Sequence, residues 1–137
     1  MTYEIISIRK RKTIKIVEPV DIYKAIKRYA NKKQEYFLVI TLNASKEIIA
    51  IHIATIGLAS KNIIHAREIF KHVFLDNAVC IAVAHNHPSG AVQPSDEDIE
   101  ITKYIGECCK ILGIHFIDSL IIAQKTFYSF MLDRKMP

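Results

Sequence analysis

Two short apolar runs constrain this chain more than any other feature. Residues 35–42 are nearly all apolar after the first, and residues 79–84 are wholly apolar. Successive strand side chains point to opposite faces, so such runs suit inner strands of a sheet covered on both sides. Neither run nears the roughly 20 apolar residues that a bilayer-crossing helix needs. At 137 residues the chain is long enough for one domain, spanning residues 1–137, to bury a core without disulfide or metal staples. Its three cysteines, two of them adjacent as Cys108 and Cys109, do not form a disulfide framework. With no basic-then-apolar leader and no membrane span, a reducing cytoplasm is the expected compartment.

The other elements interleave around these runs. Residues 3–8 and 13–17 are expected as two strands around a basic turn. A helix is expected from Asp21 to about Ala30, where Ile22, Ala25, Ile26 and Tyr29 recur at helical spacing after Pro19. A turn at 43–46 joins the first apolar run to an Ile-rich strand at 47–56 that pairs with it as a hairpin. Ala66, Ile69, Phe70, Val73 and Phe74 mark a second helix that ends near Asn77. The run at 79–84 delivers the chain into His85-Asn86-His87-Pro88-Ser89-Gly90. After Ser95, Ile101, Ile105, Cys108, Cys109 and Leu112 trace a third helix closed by Gly113, and strands at 114–122 and 127–131 finish the chain. The predicted class is α/β, a mixed sheet flanked by helices.

The chemistry concentrates where the second apolar run ends. On a strand, His85 and His87 project from one face and can share a small cation. Asp98 falls in the first turn of the following helix, which turns a carboxylate back towards the strand ends. Two histidines and one carboxylate suit zinc and leave a fourth position for water. The Ser95-Asp96-Glu97-Asp98 stretch also reads as a capping box that satisfies the helix N-terminus. Capping accounts for neither His85 nor His87. The contiguous His-Asn-His letters count for little towards an HNH nuclease, whose residues are dispersed over a longer metal-binding hairpin. A zinc deaminase is excluded because the Pro-Cys-x-x-Cys helix start it needs is missing.

The pattern His85-x-His87, seven residues, Ser95, two residues, Asp98 resembles the signature of JAB/MPN (JAMM) metalloproteases. The string HNHPSGAVQPSDED from His85 to Asp98 is similar to bacterial RadC, a family linked with DNA repair. The resemblance runs from about Glu35 to the C-terminus and includes His65-Ala66-Arg67-Glu68-Ile69-Phe70. It implies a JAB/MPN (cytidine deaminase-like) architecture with Zn2+ as cofactor. It implies hydrolysis of a peptide or isopeptide-linked protein, with Glu35 as general base and Ser95 helping to hold the oxyanion. Glu47 is the runner-up base, at the far end of the hairpin. Two positions depart from the family pattern, Ala66 for a proline and Ser119 for a histidine. The helix-hairpin-helix region of full-length RadC proteins has no counterpart in the N-terminal part, residues 1–34. Of the remaining histidines, His52 is read as a satisfied core group or a residue lining the site. His65 is read as support for the cleft, and His72 and His115 as surface residues. Cys80 is read as core, and Cys108 and Cys109 as packing on their helix.

A second reading comes from charge. Residues 1–33 carry ten Lys/Arg against three Asp/Glu, a balance of +7 within a net charge of +5. That segment contains Arg9, Lys10, Arg11 and Lys12 in succession, so the alternative is a nucleic-acid-associated accessory module whose metal serves structure or a nuclease-like step. The run is read here as a solvated turn. Neutralising those four residues should therefore leave the fold and any peptidase activity nearly unchanged. Loss of a tight, salt-sensitive DNA interaction in that variant would instead move the alternative ahead.

Overall fold

The computed structural model describes residues 13–57 and 64–137. Their elements in chain order are helix α1 (Pro19–Ile26), a 3-10 segment (Lys27–Asn31), strands β1 (Tyr36–Leu42) and β2 (Ile48–Ile56), helix α2 (Ala66–Leu75), strand β3 (Cys80–Asn86), helix α3 (Asp96–Leu112), and strands β4 (His115–Ile122) and β5 (Phe127–Ser129). The five strands form one open mixed sheet in the order β2-β1-β3-β4-β5. Among the described residues only the β3–β4 pair is parallel, and α3 makes the crossover between them.

The two apolar runs occupy the inner strands, as their composition demands. Leu38, Ile40 and Leu42 of β1, with Ala82 and Ala84 of β3, face Ile22 and Ile26 of α1. Phe37 and Val39, with Ile81 and Val83, face Ile69 and Val73 of α2 and Ile105 of α3. Each fully buried Leu or Ile contributes about 1.5–3 kcal/mol, so coverage of both faces holds the sheet together. Strand β2 lies at the sheet edge, and its side chains are half-buried or exposed. Among the described residues no helix is long and apolar enough to cross a membrane.

Two expectations need correcting. Residues 13–17 do not form a full strand; Lys15 alone bridges Glu47, flanked by the backbone bonds Ile16 N–H to Lys46 O and Ile48 N–H to Ile14 O. The pairing stops because the Asp21 carboxylate accepts the N–H groups of Val17 and Glu18, each at 2.9 Å, turning the chain into α1. The expected helix to Ala30 tightens into 3-10 geometry after Ile26. The strand at 3–8 and the basic run at 9–12 lie outside the described residues.

The C-terminal turn is fastened to the sheet by Asp118, which is 1% exposed. Its Oδ1 accepts the N–H groups of Ser119 at 2.7 Å and Met131 at 3.0 Å, and its Oδ2 accepts the Ser129 hydroxyl at 2.6 Å. Burial pushes the Asp118 carboxyl up, and these three donors only partly pull it back. The folded protein thus binds this proton more readily than the unfolded chain, whose carboxyl titrates near pH 4. Ionising Asp118 costs stability, and the cost fades as pH falls from the raised value towards the ordinary one. Denaturant titrations should show wild type losing stability relative to Asp118→Asn as pH rises above about 4. A difference independent of pH would contradict this account.

Candidate metal centre

The parallel β3–α3–β4 crossover dictates where the site must form. A strand that leads into a crossover helix brings its C-terminal end beside that helix's N-terminus. Here the end of β3 carries His85 and Asn86, His87 follows, and the first turn of α3 carries Asp98. His85 is buried and its ring stacks on Phe37, its partner across β1, with centroids 6.0 Å apart and planes at 9°. His87 is half-buried and its Nδ1 lies 2.8 Å from Ala91 O, which as acceptor fixes the Nδ1–H tautomer and turns Nε2 inward.

The two Nε2 atoms are 3.2 Å apart. Asp98 reaches both, Oδ1 lying 2.9 Å from His85 Nε2 and Oδ2 3.2 Å from His87 Nε2. Glu35 approaches the same pair: a carboxylate oxygen of Glu35 and one ring nitrogen each of His85 and His87 lie within 4.8 Å of one another. Two carboxylates therefore flank one imidazole pair. Burial would raise the Asp98 carboxyl, but His85, His87 and the Ser95 N–H outweigh it and hold it far below the usual carboxylate range. His87 is shifted up, first by its bond to Asp98, against the opposing effect of burial. Converging imidazole nitrogens and carboxylate oxygens form a donor set whose lone pairs a divalent cation would satisfy, so the residues present fit zinc.

A helix cap and contacts to both imidazoles coexist at Asp98. Its Oδ2 accepts the Ser95 N–H at 2.8 Å, while Ser95 Oγ accepts the Asp98 N–H at 3.1 Å. This reciprocal box starts α3, supported by Asp96 and Glu97 in its first turn, and Gly113 at φ +73° ends it. One turn beyond Asp98, the Thr102 hydroxyl lies 3.1 Å from that of Ser119, fastening α3 to β4 at a position that departs from the RadC pattern.

Most other polar residues lie elsewhere. Glu47 precedes Ile48, whose partner Leu42 pairs with Cys80 at the opposite end of β3 from His85, so the runner-up base lies away from the imidazole pair. His52 belongs to a separate cluster. Its Nε2 lies 2.6 Å from Asp76 Oδ2, and its ring stacks on His72 at 4.2 Å. His72 is therefore half-buried rather than a simple surface residue. His65 and His115 are exposed; Cys80 and Cys109 are buried, and Cys108 is half-buried on α3.

The residue that sequence reasoning missed is Asn86, fully buried between the two histidines. Its Oδ1 accepts Tyr36 N–H at 2.7 Å, and its Nδ2 donates to Lys32 O at 3.3 Å and Gln34 O at 3.1 Å. The only available signal was an amide side chain at the end of an otherwise apolar buried run.

A family model described as RadC-like JAB domain matches residues 16–136. Among curated relatives, a UPF0758 protein of Methanospirillum hungatei is 42% identical over 117 residues, covering 84% of this chain and 52% of that protein. A UPF0758 protein of Clostridioides difficile is 42% identical over 119 residues, covering 85% of this chain and 50% of that protein. One from Rubrobacter xylanophilus is 37% identical over 113 residues, covering 82% and 50% respectively. The chain thus spans about half the length of these relatives.

The cap makes a prediction that does not depend on any metal. Ser95→Ala removes the acceptor for Asp98 N–H and should cost about 1 kcal/mol of stability, read by chemical denaturation. An unchanged midpoint would mean that the box does not support α3.

Proposed function

The chain belongs to the RadC-like JAB domain family, and from that premise we propose that it is a zinc-dependent hydrolase of the JAMM type acting on peptide or isopeptide bonds. The observation that carries this reading is the convergence of Glu35 on the His85–His87 pair, with the Asp98 carboxylate against both rings. His85, His87 and Asp98 would hold the ion. Of the two carboxylates, Asp98 is the buried one and touches both imidazoles, whereas Glu35 is half-buried on an irregular segment ahead of β1. That division suits Asp98 to ligation and Glu35 to proton transfer.

When bound, zinc supplies Lewis acidity and lowers the pKa of water to about 7. Glu35 accepts the proton of the attacking water and returns it to the leaving amine. Ser95 Oγ already accepts Asp98 N–H, so its own O–H proton can be directed at the oxyanion. The accessory-module reading draws on exposed Lys27, Arg28, Lys32 and Lys33, which precede Glu35 in sequence.

Purified protein should contain about one zinc per chain by elemental analysis, most of it lost in His85→Ala and in His87→Ala. Glu35→Gln should keep the metal and the fold while losing about a hundred- to ten-thousand-fold in rate on a substrate found by peptide and isopeptide screening. Asp98→Asn should weaken zinc binding itself. Wild-type turnover by Glu35→Gln would overturn the mechanism, and full zinc retention by the double histidine variant would overturn the site.

A further inference from the structure

We propose that Asn86 is a positioning residue that fastens the Glu35-bearing segment to the strand carrying His85, so that base and imidazoles are held as one unit. The inference rests on the role of Glu35 argued above. Residues 32–35 lie between the 3-10 segment and β1 and belong to no helix or strand. Their backbone is held from two sides. From β2's end, Gly57 N–H donates to Glu35 O at 2.9 Å. From β3's end, the Asn86 amide takes Tyr36 N–H and gives its two protons to Lys32 O and Gln34 O.

The residue type matches this task. Bracketing Glu35 on both sides requires one acceptor and two donors on a planar group, which is the inventory of a primary amide. Aspartate could accept from Tyr36 N–H but would set its other oxygen against two carbonyls. Serine is too short to span the segment. Asn86 is 0% exposed and sits between His85 and His87 in the chain, so on the strand its side chain leaves by the opposite face. One strand end thus serves two purposes, its alternate side chains facing the metal centre and the Glu35 segment. A half-buried carboxylate on unanchored backbone would sample many positions, and proton transfer requires hydrogen-bond reach of the reacting water.

The test compares wild type, Asn86→Ser, Asn86→Asp and each variant combined with Glu35→Gln. The first readout needs neither metal nor substrate. Trypsin should cleave after Lys32 or Lys33 at least tenfold faster in both Asn86 variants, and Tyr36 amide exchange should rise in Asn86→Ser. Amides of Leu38, Val39 and Ile40 should stay protected. A residue that is merely part of the core would raise cleavage and exchange throughout. The second readout is kinetic: with zinc content unchanged, kcat should fall at least tenfold with KM within about twofold, and the loss should vanish in the Glu35→Gln background. Unchanged cleavage at Lys32 and Lys33 overturns the proposal, as does an equal activity loss in the two backgrounds. If only one Asn86 variant folds, its cleavage pattern decides; if neither folds, Asn86 is a core residue and the positioning role is rejected. A wild-type protein without hydrolytic activity would overturn the proposed function, while the proteolysis result still decides whether Asn86 anchors the segment.

Discussion

Strand β3 is the element on which the rest of the structure depends, because all seven of its residues are buried and it is hydrogen-bonded on both sides. Its odd and even side chains enter two different cores, one beneath α1 and one beneath α2 and α3. Removing backbone polar groups from water is tolerable only when both ladders are complete, so β3 must lie inside the sheet. A strand that rigid is a suitable mount for chemistry at its end. The donor atoms of His85 inherit its order, and the chain leaves the sheet immediately afterwards, where His87 meets α3.

Asp98 shows how one side chain can start a helix and meet two imidazoles at once. Its carboxylate accepts the N–H of Ser95 to start α3 and also touches both imidazoles. These demands do not compete, because a carboxylate offers more lone pairs than a cap requires. The positive end of the helix macrodipole further favours an anion there. Capping and imidazole contact are therefore complementary at Asp98, and the helix start is what aims the carboxylate at the strand end.

The fold was largely legible from period and composition. The apolar runs located β1 and β3, and helical spacing located α1, α2 and α3 to within a few residues. The errors fall where local and tertiary forces disagree. Residues 13–17 look like a strand, yet only Lys15 finds a bridge partner, because the Asp21 carboxylate takes the next two backbone donors. His72 looks like a surface residue on α2, yet it stacks on His52 from β2, a contact between residues 20 positions apart in the chain.

By itself the sequence determined an α/β layering, the exit of a buried strand into His85-x-His87, and the helix start that carries Ser95 and Asp98. These are local matters, set by side-chain alternation, apolar periodicity and capping chemistry over a few consecutive residues. Resemblance to a family, and not residue chemistry, singled out Glu35 from other solvated carboxylates. Only the tertiary structure brought Glu35 to the imidazole pair and gave Asn86 its three bonds to residues 32, 34 and 36. Those contacts join parts of the chain about 50 residues apart. They exist because β1 and β3 are neighbours in register, a consequence of burying both faces of the sheet that no local pattern encodes.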